Sequence, residues 1–251
     1  MSVISSNSLF HFTSSAESLI GILKNSFHPK YFYESYSFSV NSDHSAIEAG
    51  IPMICFCDLP LSQIKKHLSI YGQYGLGMRK EWGKSKGLNP ILYISPDSIL
   101  SSSLDNLYTY LVTQRNNMAL DELNSLLNLL RFTKPYDGLF KHHHKRYTKY
   151  RFYNEREWRF IPDLRPINSP PPLLIQTDYN NSVELARNNS LLENYPLTFT
   201  PNDIKYIVIK EENEITSMIN SLREIKSHYS QNMIDILTSK IITAKQIKED
   251  F

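Results

Sequence analysis

The chain has 251 residues, with 27 Lys and Arg against 25 Asp and Glu, giving a formal net charge of +2. At 41% hydrophobic and 21% charged residues it is too ordinary for a disordered, collagen-like or highly charged tail protein, and long enough to bury a sizeable core. Only 8 glycines stand beside 16 Tyr and 12 Phe, and neither a P-loop nor a GxGxxG fingerprint occurs. A bound nucleotide would therefore be held by aromatic faces and polar side chains.

The first residues, MSVISSNSLFHF, carry no basic region and no long apolar core, and no stretch approaches the roughly 18 apolar residues of a membrane span. A soluble, cytoplasmic protein without membrane contact is the expectation. Leu9 to Thr13 reads as a short strand, and Ser14 to Glu17 matches an S-x-x-E capping box ahead of a helix with Leu19, Ile20, Ile22 and Leu23 on its apolar face. The aromatic segment from Tyr31 to Phe38 reads as irregular or edge strand. Ile51 to Phe56 is a buried strand, and Asp58-Leu59-Pro60 opens a helix to about Tyr71. Tyr74 to Trp82 and Pro90 to Ile94 give two more strands.

From Leu104 to Phe132 leucines recur at three- and four-residue spacing, which predicts one or two helices with a packing face, an insertion over about 96–132. Phe152 to Ile161 is strand-like. Five of the 13 prolines fall within 162–172 and break regular structure there. A strand from Ile204 to Ile209, a helix from Glu211 to Tyr229, a short strand from Ile234 to Leu237 and a final helix capped by Thr243 complete the chain. Short strands with segregated helices predict an α+β fold, read as a single domain over 1–251. Cys55 and Cys57 sit two apart on a strand and read as buried thiols, and no matching ligands suggest a metal site.

Four constellations could carry chemistry. In Phe10-His11-Phe12-Thr13, strand alternation puts His11 and Thr13 on one face, suited to a ribose or an amide, or to a structural histidine. Around Tyr71 and Tyr74, three of the eight glycines lie within six residues, so the backbone turns tightly or something approaches it closely. In Phe152 to Phe160, a strand would place Glu155, Glu157 and Arg159 on one face amid aromatics, where buried carboxylates usually have a task. From Lys141 to Arg159, seven basic residues against two acids leave a local charge of +5, interleaved with Tyr147, Tyr150 and Tyr153. That mixture suits single-stranded nucleic acid, although a solvated basic loop is the commoner case. The adjacent His142-His143-His144 cannot all face one ion in a regular element.

The segments LFHFTS, ICFCDLPLSQIKKHLSIYGQYGLGMRKEWGKSKGLNPILYIS, FYNEREWRFIP and DIKYIVIK, in that order, resemble the AbiGi family of abortive-infection proteins over roughly Leu9 to Ile219. That family is named for phage-resistance loci, where its members are labelled antitoxins. A more distant resemblance, in the order His–Tyr–Glu beside short strands, is to ADP-ribosyltransferases such as the poly-ADP-ribose polymerases and the DNA-modifying DarT toxins. It implies a split β-core that holds NAD without a Rossmann glycine motif. Carried over, His11 would hold the nicotinamide-side ribose with Thr13 beside it, and Tyr71, or else Tyr74, would stack on nicotinamide. Glu157 would be the catalytic acid residue, paired with Glu155 as an E-x-E. Arg79 or Lys80 would meet the NAD phosphates, with no motif fixing which. The helix before Tyr71 is longer than in the polymerases, and no Ser-Thr-Ser motif is present.

The resulting expectation is an NAD-dependent ADP-ribosyltransferase toxin of a phage-defence or toxin-antitoxin system, restrained by a cognate antitoxin. It would release nicotinamide and modify nucleic acid gripped by Lys145, Arg146, Lys149 and Arg151. The alternatives are a protein acceptor, or a non-enzymatic AbiGi-like antitoxin or regulator that binds a partner toxin. A nuclease built on Glu155 and Glu157 lacks a third acidic ligand.

Overall fold

Runs of β-branched and aromatic residues bounded by Gly, Pro, Ser or Asn build short strands here, and cap residues decide where the helices begin. The computed structural model describes residues 6–36, 47–114, 117–142, 145–164 and 169–251. In chain order its elements are β1 (Ser8–Thr13), α1 (Ala16–Asn25), β2 (Lys30–Tyr36), β3 (Ile47–Cys57), α2 (Lys65–Tyr71), β4 (Tyr74–Arg79), α3 (Lys80–Ser85), β5 (Asn89–Pro90), β6 (Leu92–Ile94), α4 (Ile99–Gln114) and α5 (Leu120–Arg131). They continue with β7 (Thr133–Pro135), β8 (Gly138–His142), β9 (Lys145–Tyr150), β10 (Glu157–Phe160), β11 (Leu174–Ile175), α6 (Gln176–Asn180), α7 (Ser182–Leu192), β12 (Ile204–Ile209), α8 (Ile215–Ile225), α9 (Gln231–Thr238), β13 (Ile241–Thr243) and α10 (Ala244–Asp250). The fold is mixed α+β.

The residues gather into two units. The first comprises the chain up to Phe27, Cys55–Leu88 and Leu197–Phe251. Its central strands β1 and β4 pair antiparallel from Ser8↔Arg79 to Thr13↔Tyr74. The end of β3 meets β1 at Phe10↔Cys57, β12 pairs antiparallel with β4, and β13 runs parallel to β12. Phe10, Cys57, Leu59, Ile64, Leu68, Val208, Ala244 and Ile247 form one core cluster. Phe10 is 1% exposed, and burying such a side chain stabilises by about 1.5–3 kcal/mol.

The second unit comprises His28–Ile54 and Asn89–Pro196. Here β2 pairs antiparallel with β3 from Lys30↔Met53 to Tyr36↔Ile47, and β11 joins β3 at Leu174↔Gly50. Strand β10 pairs with β5, β6 runs parallel to β7, and β8 and β9 form an antiparallel hairpin. Tyr31, Leu164, Leu174 and Leu192 share a core cluster. The leucine-spaced region predicted as helical forms α4 and α5. No helix among the described residues is long and apolar enough to cross a membrane.

Several boundaries depart from the sequence reading, each for a local reason. The predicted strand Ile234–Leu237 is part of helix α9: the Ser230 side chain accepts from the Met233 N–H, and Ile234 and Leu237, three apart, are both buried. Asp58 opens no helix; it is buried against Lys80, with Nζ–Oδ1 at 2.7 Å, and accepts the Ser6 N–H. Pro60 instead precedes a 3-10 turn, Leu61–Gln63, and α2 starts at Lys65. The strand read to Trp82 stops at Arg79, where α3 begins, and Pro90 divides the next strand into β5 and β6. Ser15, one residue later than expected, caps α1. The strand read from Phe152 begins only at Glu157, after a 3-10 turn over Phe152–Glu155. Phe38 and the last two histidines of the run, 143–144, lie outside the described residues.

The glycine cluster near Tyr71 is explained by close backbone approach. Gly72 joins α2 to β4 at φ +125°, and a Cβ there would collide with the Thr13 carbonyl. In β4, a Cβ on Gly77 would come within 2.7 Å of the Phe10 ring. Gly72→Ala is expected to destabilise the protein by about 2 kcal/mol or more, read as a lower urea midpoint at unchanged m-value.

Candidate functional site

Burial alternates along β10, so Glu157 and Arg159 point inward while Trp158 and Phe160 are half-exposed. Arg159 is fully buried at 0% exposure, which forces its guanidinium to find internal partners. Its Nε donates to Glu157 Oε1 at 2.5 Å, Nη2 donates to Glu34 Oε1 of β2 at 2.8 Å, and Nη1 donates to the Arg131 carbonyl at 2.7 Å. Lys134 arrives from β7, and its Nζ donates to Glu157 Oε2 at 2.9 Å and to Glu155 Oε2 at 3.2 Å. Three carboxylates thus surround two cations, all five within the second unit. The Lys134 ammonium also lies 4.7 Å from the Phe152 ring centroid.

Glu155 reaches this cluster by a different route from the one a continuous strand would give. It ends the 3-10 turn, and Arg156 then adopts a left-handed conformation at φ 46° before β10 begins. The two acids do not share a strand face by alternation; the turn swings Glu155 back so that both carboxylates meet Lys134. Burial by itself would raise the Glu157 carboxyl, but the Arg159 guanidinium and the Lys134 ammonium outweigh it and hold it well below the usual carboxylate range. The Glu157 N–H donates to the Tyr93 hydroxyl oxygen at 2.8 Å. Burial, followed by the Glu157 charge, pushes that hydroxyl far above its ordinary value, so Tyr93 stays protonated.

The remaining predicted residues divide between the units. His11, Thr13, Tyr71, Tyr74 and Arg79 belong to the first. His11 Nδ1 lies 2.8 Å from the Cys55 carbonyl, and its ring packs against Phe27 and Phe56 with centroids 5.2 and 5.5 Å away. Burial lowers its pKa more than that hydrogen bond raises it, so the ring is neutral and Nδ1–H is the donor. Thr13 stands half-buried opposite Tyr74 in the β1–β4 ladder. Tyr71 packs against the His67 ring at 5.7 Å. The Tyr74 hydroxyl donates to Glu214 Oε1 at 2.6 Å, and burial together with that carboxylate pushes it up to about 12. Arg79 donates through Nε to the Asn202 carbonyl at 2.7 Å.

The basic residues Lys145, Arg146, Lys149 and Arg151 belong to the second unit. Lys145 pairs with His142, and Arg146 with Lys141, in the β8–β9 ladder; the side chains of 141–148 are outside those described. Lys149 and Arg151 are exposed, and the Arg151 guanidinium lies 5.6 Å from the Tyr136 ring centroid.

Sequence reasoning missed Glu34, Lys134 and Tyr93. Glu34 lies 125 residues from Arg159, inside an aromatic run that reads as edge strand. The one available signal was that buried acids and a buried arginine need partners of opposite sign.

Comparison with known proteins now bears on this geometry. A family model described as abortive phage resistance protein AbiGi, antitoxin, matches residues 25–210. The chain belongs to the AbiGi family. It is 30% identical over 250 residues to the abortive phage resistance protein AbiGi of Lactococcus lactis subsp. cremoris, covering 90% of this chain and 99% of that protein. The match to the AbiGi model takes in β2, β7 and β10, and so every charged residue of the buried cluster. No solved structure matches the chain.

Proposed function

We propose that this AbiGi-family chain serves phage defence as the non-catalytic, antitoxin member of its system, binding and restraining a cognate toxin protein. The observation that carries this reading is the state of Glu157. One carboxylate oxygen is taken by Arg159 and the other by Lys134. Its charge is thus already met by two buried cations, whereas stabilising an oxocarbenium ion requires a charge presented to the reacting carbon. The cluster therefore reads as a scaffold that fixes β2, β7 and β10 to one another. The AbiGi model's description as an antitoxin supports the same conclusion.

The rival reading is ADP-ribosyl transfer, in which the nicotinamide–ribose bond of NAD breaks, nicotinamide leaves and ADP-ribose bonds to a nucleophile. In its favour, Glu155 and Glu157 converge on one ammonium, as an E-x-E pair would. The two readings separate by expression in a bacterial host. Wild type and Glu157→Gln are both expected to leave growth unchanged and to transfer no label from labelled NAD to RNA, DNA or protein. Wild type is also expected to restore growth to cells expressing the toxin of its own locus. Growth arrest by wild type that Glu157→Gln relieves, with label transferred, would establish the transferase instead.

A further inference from the structure

The sequence gives the segment Lys141 to Arg159 a charge of +5, but the structure does not spread that charge evenly. Both of its acids, Glu155 and Glu157, are buried with Arg159 in the ion cluster, at 4%, 5% and 0% exposure. Between Lys141 and Arg156 this leaves six cations and no exposed acid. The buried cluster thus sorts charge, drawing the acids inward while Lys149 and Arg151 stay exposed.

Beside those cations lies a built aromatic surface. Tyr153 is 41% exposed and stacks on Tyr136, with centroids 5.3 Å apart and planes at 27°. Tyr93 closes against Tyr153 edge-on at 5.3 Å. Two guanidiniums lie over these rings: Arg156 is 5.4 Å from the Tyr153 centroid, and Arg151 is 5.6 Å from the Tyr136 centroid. The Tyr153 N–H donates to the Tyr136 carbonyl at 3.2 Å, and the Arg156 N–H donates to the Tyr153 carbonyl at 3.3 Å. The rings and the left-handed Arg156 are therefore fixed by backbone as well as by stacking.

From this juxtaposition we propose that the Tyr136–Tyr153–Arg151–Arg156 surface, continued by exposed Lys149, binds single-stranded nucleic acid. Bases stack on Tyr153, and the guanidiniums and Lys149 take the flanking phosphates. The occupant is single-stranded because a base is available for stacking only when unpaired. Rings and cations do not read the 2′-hydroxyl, so RNA and DNA strands bind alike. The proposal is independent of whether a toxin also binds the chain.

The test is fluorescence anisotropy of the full chain with a labelled oligouridylate and a labelled oligothymidylate of about twelve nucleotides, and with a duplex of equal length. Both single strands are expected to bind within a few-fold of each other and more tightly than the duplex. Tyr153→Ala is expected to weaken binding about tenfold. Arg151→Ala is expected to reduce the slope of log affinity against log salt by about 0.7. Circular dichroism and urea unfolding of both variants check that the fold is kept, and Tyr153→Phe, which retains the ring, is expected to bind as wild type. Absence of binding, equal binding of the duplex, or full affinity in a folded Tyr153→Ala variant would each overturn the proposal.

Discussion

Arg159→Ala is expected to lower the unfolding free energy by about 3–5 kcal/mol, the cost typical of removing one partner from a buried ion pair. The guanidinium donates to Glu157 and Glu34 and to the carbonyls of Arg131 and Thr133. Its loss leaves two carboxylates at low exposure facing Lys134, at 2.9 Å from Glu157 and 4.0 Å from Glu34. The measurement is urea unfolding, with the m-value checked for constancy. A second variant separates the value of the cluster from the penalty of orphaned charge. Arg159→Met combined with Glu157→Leu and Glu34→Leu leaves the single pair Lys134–Glu155 and fills the space with apolar groups. It is expected to recover most of the lost stability, as replaced buried ion clusters commonly do. If the triple variant is as unstable as Arg159→Ala, the cluster stabilises the fold by itself.

The difference between what was legible and what was not follows the range of the interactions. Helix α1, strand β1 and strand β12 are encoded by caps and apolar periods within a few residues, and their positions can be read from the chain alone. Helix α9 was misread because Ile-Asp-Ile-Leu fits a strand as well as a helix, and only the Ser230 cap three residues upstream of Met233 decides between them. Placing Glu155 and Glu157 among aromatics correctly indicated burial, but not its consequence. Their partner Lys134 lies more than 20 residues away on β7, and Glu34 more than 120 away from either acid on β2, at distances where no local pattern operates. The left-handed Arg156 was equally hidden, since nothing in Asn-Glu-Arg-Glu marks a turn that requires positive φ. The basic segment shows the converse. Its local charge is visible in the sequence, whereas the burial of its two acids depends on the fold.

Acid should destabilise this protein through two groups whose effects two substitutions separate. His11 has its pKa lowered by burial from an ordinary 6.5, so the unfolded chain binds its proton more readily. Its contribution is complete above about 6.5 and is lost as pH falls below that value. Glu157 is held below its ordinary 4.5 by Arg159 and Lys134 against the opposing effect of burial, so its contribution is complete above about 4.5 and is lost only in stronger acid. Each group adds a slope of up to about 1.4 kcal/mol per pH unit within its own window. His11→Asn, which keeps a donor for the Cys55 carbonyl, is expected to flatten the profile just below about pH 6.5 and to leave the Glu157 limb in stronger acid steep. Glu157→Gln is expected to do the reverse, at lower stability throughout because Arg159 and Lys134 lose their charged partner. Tryptophan fluorescence follows the unfolding of each variant as a function of pH. A profile unchanged by either substitution would mean that His11 is not held neutral and that Glu157 is not held charged.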